Sequence, residues 1–518
     1  MHCAIMQTRN NWGGLSISLN GGSASCFSEA VQISGSTVTI SQEGTYILYG
    51  SLNDGTIVVD APDTAKLQLV LDGVDISSSS SAAIYILEAD KVFITTAAGS
   101  ENSLNNGGEY VAVDDNNIDA VIFSKADLTL NGSGTLSINA EAGHGIVSKD
   151  DLVLTSGSYE IEAASHGLSG KNSVRIANGS YTIVSGKDGI QSENADDAEL
   201  GFIYISGGSF DIDAQGDGLS AECAMQIDGG DFEICTGEGS AGVTMKTDSM
   251  GFGPWSDSQS QESETEENVS RKGLKCSGSI VITGGSFITD TEDDSIHAGG
   301  DILVSGGSFE LKSGDDAVHS DAAVEISDGD FTISYCYEGI EGLSVTIDGG
   351  SYDIQSEDDG INAAGGADSS GFGGARPGQE SFAGGSDSFI TINGGSVLIV
   401  SKGDCIDSNG DLTINGGELD LTCNGSGNTA LDCDGSYSNN GGQVTTNDGS
   451  EINPGQMGGG MGRTGGGGAM GDKTRPESMG QQEGMESPEG MELPEGMEPP
   501  EGMELPEDGG RGMHPGEE

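Results

Sequence analysis

From about residue 117 onward the apolar positions recur in a fixed order. Two apolar residues flank one polar residue, then come Gly-Gly-Ser, an aromatic, one further residue and Ile, and last an acidic corner of the type Asp-Asp-Gly-Ile. The corner stands at His144, His166 and Asp188, and again at Lys272, Asp294, Asp316 and Glu338, with neighbours in each series 22 residues apart. A fixed period of this length marks a solenoid, in which each unit buries its apolar face against the next.

The apolar pairs include Leu152/Leu154, Val174/Ile176, Ile203/Ile205, Ile280/Ile282, Ile302/Val304, Val324/Ile326, Val345/Ile347 and Ile390/Ile392. The aromatics are Tyr159, Tyr181, Phe210, Phe232, Phe287, Phe309, Phe331 and Tyr352. Alternate residues of a strand share a face, so the rings, which have the parity of the core Ile, are expected to point inward and stack. A glycan-stacking platform is the competing use for them. Strand-rich units with Gly turns and no helical period predict an all-β fold, a right-handed parallel β-helix. Proline agrees: only Pro62, Pro254 and Pro377 precede Pro454, and central strands exclude proline because it cannot donate to the ladder.

The expected organisation has four parts. Residues 1–30 are poor in structure signals. Residues 31–116 alternate in short runs such as Lys66–Asp72 and form an N-terminal cap with irregular first coils. Residues 117–453 are the regular helix, with polar loop insertions at 249–267 and 364–387. Residues 454–518, rich in Gly, Met, Pro and Glu, cannot bury a core and are expected to be disordered.

Charge changes the picture most. The 518 residues include 84 acidic and 19 basic ones, a formal −65. Beyond Gly471 stand 14 acidic and 3 basic residues, which leaves −54 on the part before it. Nucleic acid is thereby excluded as a partner, and no stretch is apolar enough to span a membrane. Nine cysteines without zinc spacing read as small apolar fillers. Met1–Gly14 has no apolar signal core, so an export signal would have been removed or would lie upstream.

The corners carry the candidate chemistry. Aligned on their closing apolar residue, they bring Asp188, Asp217, Asp293, Asp294, Asp315, Asp316, Glu338, Asp358, Asp359 and Asp404 to one edge. Beside them runs a second column: Gln191, Ser220, His297, His319, Glu341, Asn362 and Asp407. Carboxylates on strands about 4.8 Å apart repel, and a divalent ion is the natural remedy. Hard oxygens in this number favour Ca²⁺, which takes six to eight oxygen ligands, over zinc. The plain alternative is that Asp and Gly favour tight turns. Asp114, Asp115 and Asp119 form a further candidate cluster. Lys125, Lys149 and Lys171 form a basic column, either a solvated face or a contact for an acidic polymer. His297, His319 and Asn362 are further candidate glycan contacts.

Gly44-Thr45-Tyr46, Leu71–Asp75, Ser81–Ile84, Asp114–Asn117, Gly143–Ile146 and the Gly-Gly-Ser-Phe units resemble a family of exported bacterial carbohydrate-binding proteins, parallel β-helices akin in shape to pectate lyases. The likeness runs from about Gly44 to Asp434. It implies a secreted or cell-surface protein that binds acidic plant-wall polysaccharide such as pectin, and cellulose as well, with calcium on the helix. It implies binding rather than turnover. Two alternatives stay open: a calcium-dependent lyase using Lys187, Lys275 or Lys402 as base, and a structural adhesin or spacer whose carboxylates serve only solubility.

Overall fold

The protein is described by a computed structural model over residues 13–111, 115–243, 269–364, 388–452 and 454. The expected insertion 249–267, almost all of 364–387, Asp114 and the tail beyond Pro454 lie outside these residues.

The described chain winds as a parallel β-helix of three sheets. Sheet I follows the acidic corner and stacks strands such as Leu219–Ala221, Leu274–Cys276 and Ile296–Ala298. Sheet II holds the apolar pairs and stacks Phe202–Ile205, Ala224–Ile227 and Ser279–Ile282. Sheet III follows the Gly-Gly-Ser turn and stacks Ser209–Ala214, Asp231–Thr236 and Ser286–Thr291. The register is one rung to one repeat, so equivalent residues lie directly over one another.

That register turns the sequence columns into physical ladders. Rings from Tyr159 to Tyr352 stack nearly parallel, with centroids 4.3–5.3 Å apart. All are buried in the continuous core with the aliphatic pairs. Tyrosines fit because each hydroxyl finds a turn carbonyl: Tyr159 donates to Ser156 O (2.8 Å), Tyr181 to Asn178 O (3.0 Å) and Tyr352 to Gly349 O (2.8 Å). The ring also explains the second glycine of the turn. Gly208 has φ +128°, and a Cβ there would lie 3.1 Å from the Phe210 ring.

The ends differ from the middle. The first 30 residues, expected to carry little structure, form strands at Leu15–Gly21 and Ala24–Ser25. Ile17 and Leu19 alternate into the core while the strand stacks in parallel on Gly44–Leu52; this period-two signal is short and lacks the repeat around it. Two antiparallel pairings, Ser18 with Ser25 and Val31 with Ile40, close the first turn. At the other end, a short helical turn Ser450–Ile452 follows Asp448, whose carboxylate accepts the N–H of Ala430 (2.8 Å), and the Ser450 hydroxyl accepts that of Leu431 (3.0 Å).

Candidate metal-binding corner

The turn from sheet III to sheet I sets the corner. Its lead column, in register, is Asp188, Asp217, Lys272, Asp294, Asp316, Glu338, Asp359 and Asp404. Two residues before the strand, each corner leaves a backbone N–H that the next rung has no carbonyl to meet. On most rungs the side chain below supplies the acceptor; the N–H of Asp294, which stands over Lys272, instead meets Asp293 Oδ1 (3.1 Å). Asp188 Oδ1 accepts from Asp217 (2.9 Å), Asp217 Oδ1 from Lys272 (2.9 Å), Asp294 Oδ1 from Asp316 (3.0 Å), Asp316 Oδ1 from Glu338 (3.0 Å) and Asp359 Oδ1 from Asp404 (2.6 Å). His144 and His166 do the same with Nδ1 for the N–H groups of His166 and Asp188. Turn preference and charge are therefore combined in one residue: one carboxylate oxygen holds the coil, and the other is left for chemistry.

Those second oxygens meet different partners along the ladder. Asp217 Oδ2 faces Lys275 Nζ at 3.1 Å. Lys272, 1% exposed, reaches one rung on and bonds Asp293 Oδ1 (2.9 Å) and Asp294 Oδ2 (2.6 Å). His297 Nδ1 adds a third contact to Asp294 at 2.8 Å. Burial alone would raise the Asp294 carboxyl, but Lys272 and His297 hold it well below the usual range. His319 Nδ1 lies between Asp316 Oδ2 (3.1 Å) and Glu341 Oε2 (2.6 Å), and its Nε2 faces Asp321 (3.4 Å). Burial opposes its charge, yet these three carboxylates push its pKa well up. One imidazolium cannot satisfy three acids, and burial with the charge of Asp315 still pushes Asp316 up.

Beyond His319 neither column holds a basic residue. Glu338, Asp359 and Asp404 stand in the lead column, and Glu341, Asn362, Asp407 and Asp432 beside them. Two charges one rung apart repel by about 3.5 kcal/mol at an effective dielectric of 20. Burial, then Glu341, raises Glu338 well above its ordinary value. Burial, then Asp358 and Asp407, does the same to Asp359. Asp404 is pushed up to about 6, mainly by burial, against the hydrogen bond it accepts from Thr429. Asn362, 2% exposed, donates through Nδ2 to Glu338 Oε2 (2.9 Å), while its buried Oδ1 has no hydrogen-bond partner. An orphaned amide oxygen among excess carboxylates is a donor set for a hard cation.

Three sets of ligand atoms lie within 4.8 Å of one another among the described residues: Asp293, Asp294 and Asp315; Asp316, His319 and Glu341; and Asp404, Asp407 and Asp432. Lys272 already stands in the first, and the His319 imidazolium in the second. The oxygen-only set at Asp404 and the neighbouring Asn362 rung fit a divalent ion best.

The family model of carbohydrate-binding domain-containing proteins matches residues 34–317, 300–375 and 316–458. The chain belongs to this family. A carbohydrate-binding domain-containing protein of Acetivibrio thermocellus is 39% identical over 137 residues, 26% of this chain and 48% of that protein; the chain thus spans about half the length of this curated relative. A solved structure, described as the polysaccharide lyase-like protein from C. thermocellum, gadolinium derivative, aligns with 34% identity and a TM-score of 0.43. It covers 43% of this chain and 92% of that one.

Within this member of the family the other expected residues are distributed as follows. Asp188 lies against His166 (3.2 Å) and joins none of the three sets. Glu338 shares its rung with Glu341 of the second set, and Asp358 and Asp359 stand on the next rung, before the third set. Asp115 is exposed; Asp119 faces His144 Nε2 at 3.8 Å and keeps a buried, unpartnered Oδ1. Lys125, Lys149 and Lys171 stack on successive rungs, with loose pairs from Lys149 to Glu193 (3.9 Å) and Lys171 to Asp196 (4.0 Å). His319 and Asn362 are buried, so they face the ladder rather than a glycan; His297 is half-buried. Of the lysines considered as a lyase base, Lys275 pairs with Asp217 and Lys402 with Glu357. Two residues were overlooked. Lys272 lay in the 22-residue series itself, and its charge was the signal. Asp432 lies 25 residues after Asp407, so the lengthened rung hid it.

Proposed function

We propose that this protein binds an acidic polysaccharide of the polygalacturonate type outside the cell, through calcium held at the C-terminal part of the corner. The observation that carries this reading is the buried, unpartnered Oδ1 of Asn362 among Glu338, Asp359 and Asp407, past the His319–Glu341 pair, where no basic residue stands in either column. Those residues, with Asp404 and Asp432, would hold the ion. Calcium would neutralise the ladder and offer its remaining coordination to uronate carboxylates, which lets so anionic a chain hold an anionic glycan. Membership of a carbohydrate-binding family supports the glycan. Among the described residues no helix is long and apolar enough to cross a membrane.

The test is retention on immobilised polygalacturonate of the wild-type chain, compared with equal amounts of the Asn362→Leu and Glu338→Gln variants, in calcium and in chelator. Wild type is expected to be retained in calcium and released by chelator, with both variants weakened at least about tenfold. Retention unchanged by chelator, or by both substitutions, refutes the reading.

A further inference from the structure

Among the described residues, four histidines stand on the corner in two stacked pairs, and the pairs differ in which ring nitrogen is engaged. His144 and His166 lie 5.0 Å apart at 6°. The Nδ1 of each accepts a backbone N–H, from His166 (3.3 Å) and from Asp188 (3.2 Å). A neutral imidazole that accepts through Nδ1 carries its hydrogen on Nε2, so neither ring has an outward lone pair to offer. His297 and His319 stack in the same way, 5.0 Å apart at 8°, with the opposite assignment. Nδ1 of His297 meets Asp294 Oδ2 (2.8 Å), and Nδ1 of His319 meets Asp316 Oδ2 (3.1 Å) and Glu341 Oε2 (2.6 Å). Ionised carboxylates only accept, so Nδ1 is the donor in both rings.

Each of these rings turns Nδ1 toward the acid three residues before it, which leaves both Nε2 atoms on one edge of the stack. A carboxylate on the Nδ1–H is the partner that orients a metal-ligating histidine and raises the basicity of its other nitrogen. A third ligand stands at the same edge: Asp321 Oδ1 lies 3.4 Å from His319 Nε2. That is long for a charged hydrogen bond. Two ligands of a tetrahedral zinc ion, each about 2.0–2.1 Å from it, lie roughly 3.3–3.4 Å from one another, so this pair already has the required separation. Asp321 sits where the strand Val318–Ile326 slips in register against the next rung, between Ser320 and Ala323, and such irregularities re-aim side chains. The rung of His297 has Gly299 at the matching place, so one carboxylate serves both rings. Lys275 precedes His297 in the column, but its ammonium is held by Asp217 at 3.1 Å.

We infer that His297 Nε2, His319 Nε2 and Asp321 form a site for one divalent transition-metal ion of the zinc class, with the fourth coordination position open to water. Mixed imidazole and carboxylate ligation suits such an ion, whereas calcium takes oxygens. The ion displaces the proton on His319 Nε2 to solvent, and two positive charges then stand among Asp316, Asp321 and Glu341 in place of one. His297 is half-buried, and its ring leans toward His319 to complete the set. The site shares no ligand with the calcium site around Asn362 and Asp404 and is independent of it.

The test is calorimetric titration of the full chain with zinc chloride in saturating calcium, which keeps the oxygen sites filled. Visible absorption of the cobalt(II)-loaded chain is the second readout. Wild type is expected to take one zinc ion per chain and to give the intense bands of four-coordinate cobalt. His297→Ala and Asp321→Asn should each weaken zinc at least about tenfold; if His297→Ala does not fold, Asp321→Asn decides. His144→Asn, which keeps an acceptor for the His166 N–H, should leave zinc affinity unaltered. Failure of wild type to bind zinc in calcium overturns the inference, as does full affinity in Asp321→Asn or a cobalt spectrum without those bands.

Discussion

Replacing Lys272 by Met tests whether the corner is a ladder of coupled charges. The side chain is almost wholly buried, and its ammonium touches Asp293 at 2.9 Å and Asp294 at 2.6 Å. At an effective dielectric near 20 each contact is worth about 6 kcal/mol before desolvation. Met keeps the volume and removes the charge, leaving Asp294 buried with His297 as its nearest remaining partner. Breaking one side of such a pair costs about 3–5 kcal/mol. The sign with pH follows from the shifts. Asp294 is held down and Lys272 is held up, so the pair stabilises the fold from roughly pH 4 to pH 10, between the unfolded-state values of the two groups. Toward pH 5 the variant can protonate Asp294, and its deficit should shrink. Urea unfolding at pH 7.5 in chelator should show the full loss. Calcium should restore part of it in the variant, because Asp293, Asp294 and Asp315 then present three ligand atoms with no ammonium among them. A loss below 1 kcal/mol at pH 7.5 would refute the argument.

Three further outcomes follow from the same structure. Because Asp316, Glu338, Asp359 and Asp404 are all raised, the protonated fold is favoured: metal-free protein should lose stability as pH rises from about 4 through 6 and beyond, and calcium should flatten that fall in a thermal-melt series. Phe287→Ala opens the ring stack between Phe232 and Phe309 and should cost about 3–5 kcal/mol in urea unfolding, with calcium-dependent glycan retention intact. Gly208→Ala, at φ +128° against the Phe210 ring, should cost about 1–3 kcal/mol, whereas Gly207→Ala should leave the melting temperature within a degree.

What could be read from the chain was whatever the period carries. Once equivalent residues lie in register, Phe309 must sit over Phe287 and Asp316 over Asp294, and no further information is needed. Features that break the period were lost. Leu15–Gly21 has no neighbour of its own kind, and the rung before Asp432 is lengthened by three residues. The dual use of the corner carboxylate was hidden for another reason. A sequence shows that Asp316 is acidic; it does not show that Oδ1 accepts the N–H of Glu338, because that bond depends on where the next coil passes. For the same reason the series alone does not show that the long side chain of Lys272 reaches the next rung and supplies the positive charge there.

The closures at the two ends have a consequence for solubility. A coil of in-register strands leaves its final turn with a row of backbone donors and acceptors ready to add another strand, and a second molecule could continue the stack indefinitely. Asp448 and Ser450 take up the amides of Ala430 and Leu431, and the reversed strands near Ser25 and Val31 block the opposite end. On sheet I the C-terminal edge is thus closed by a few polar atoms, and a chain trimmed before Asp448 should aggregate end to end more readily.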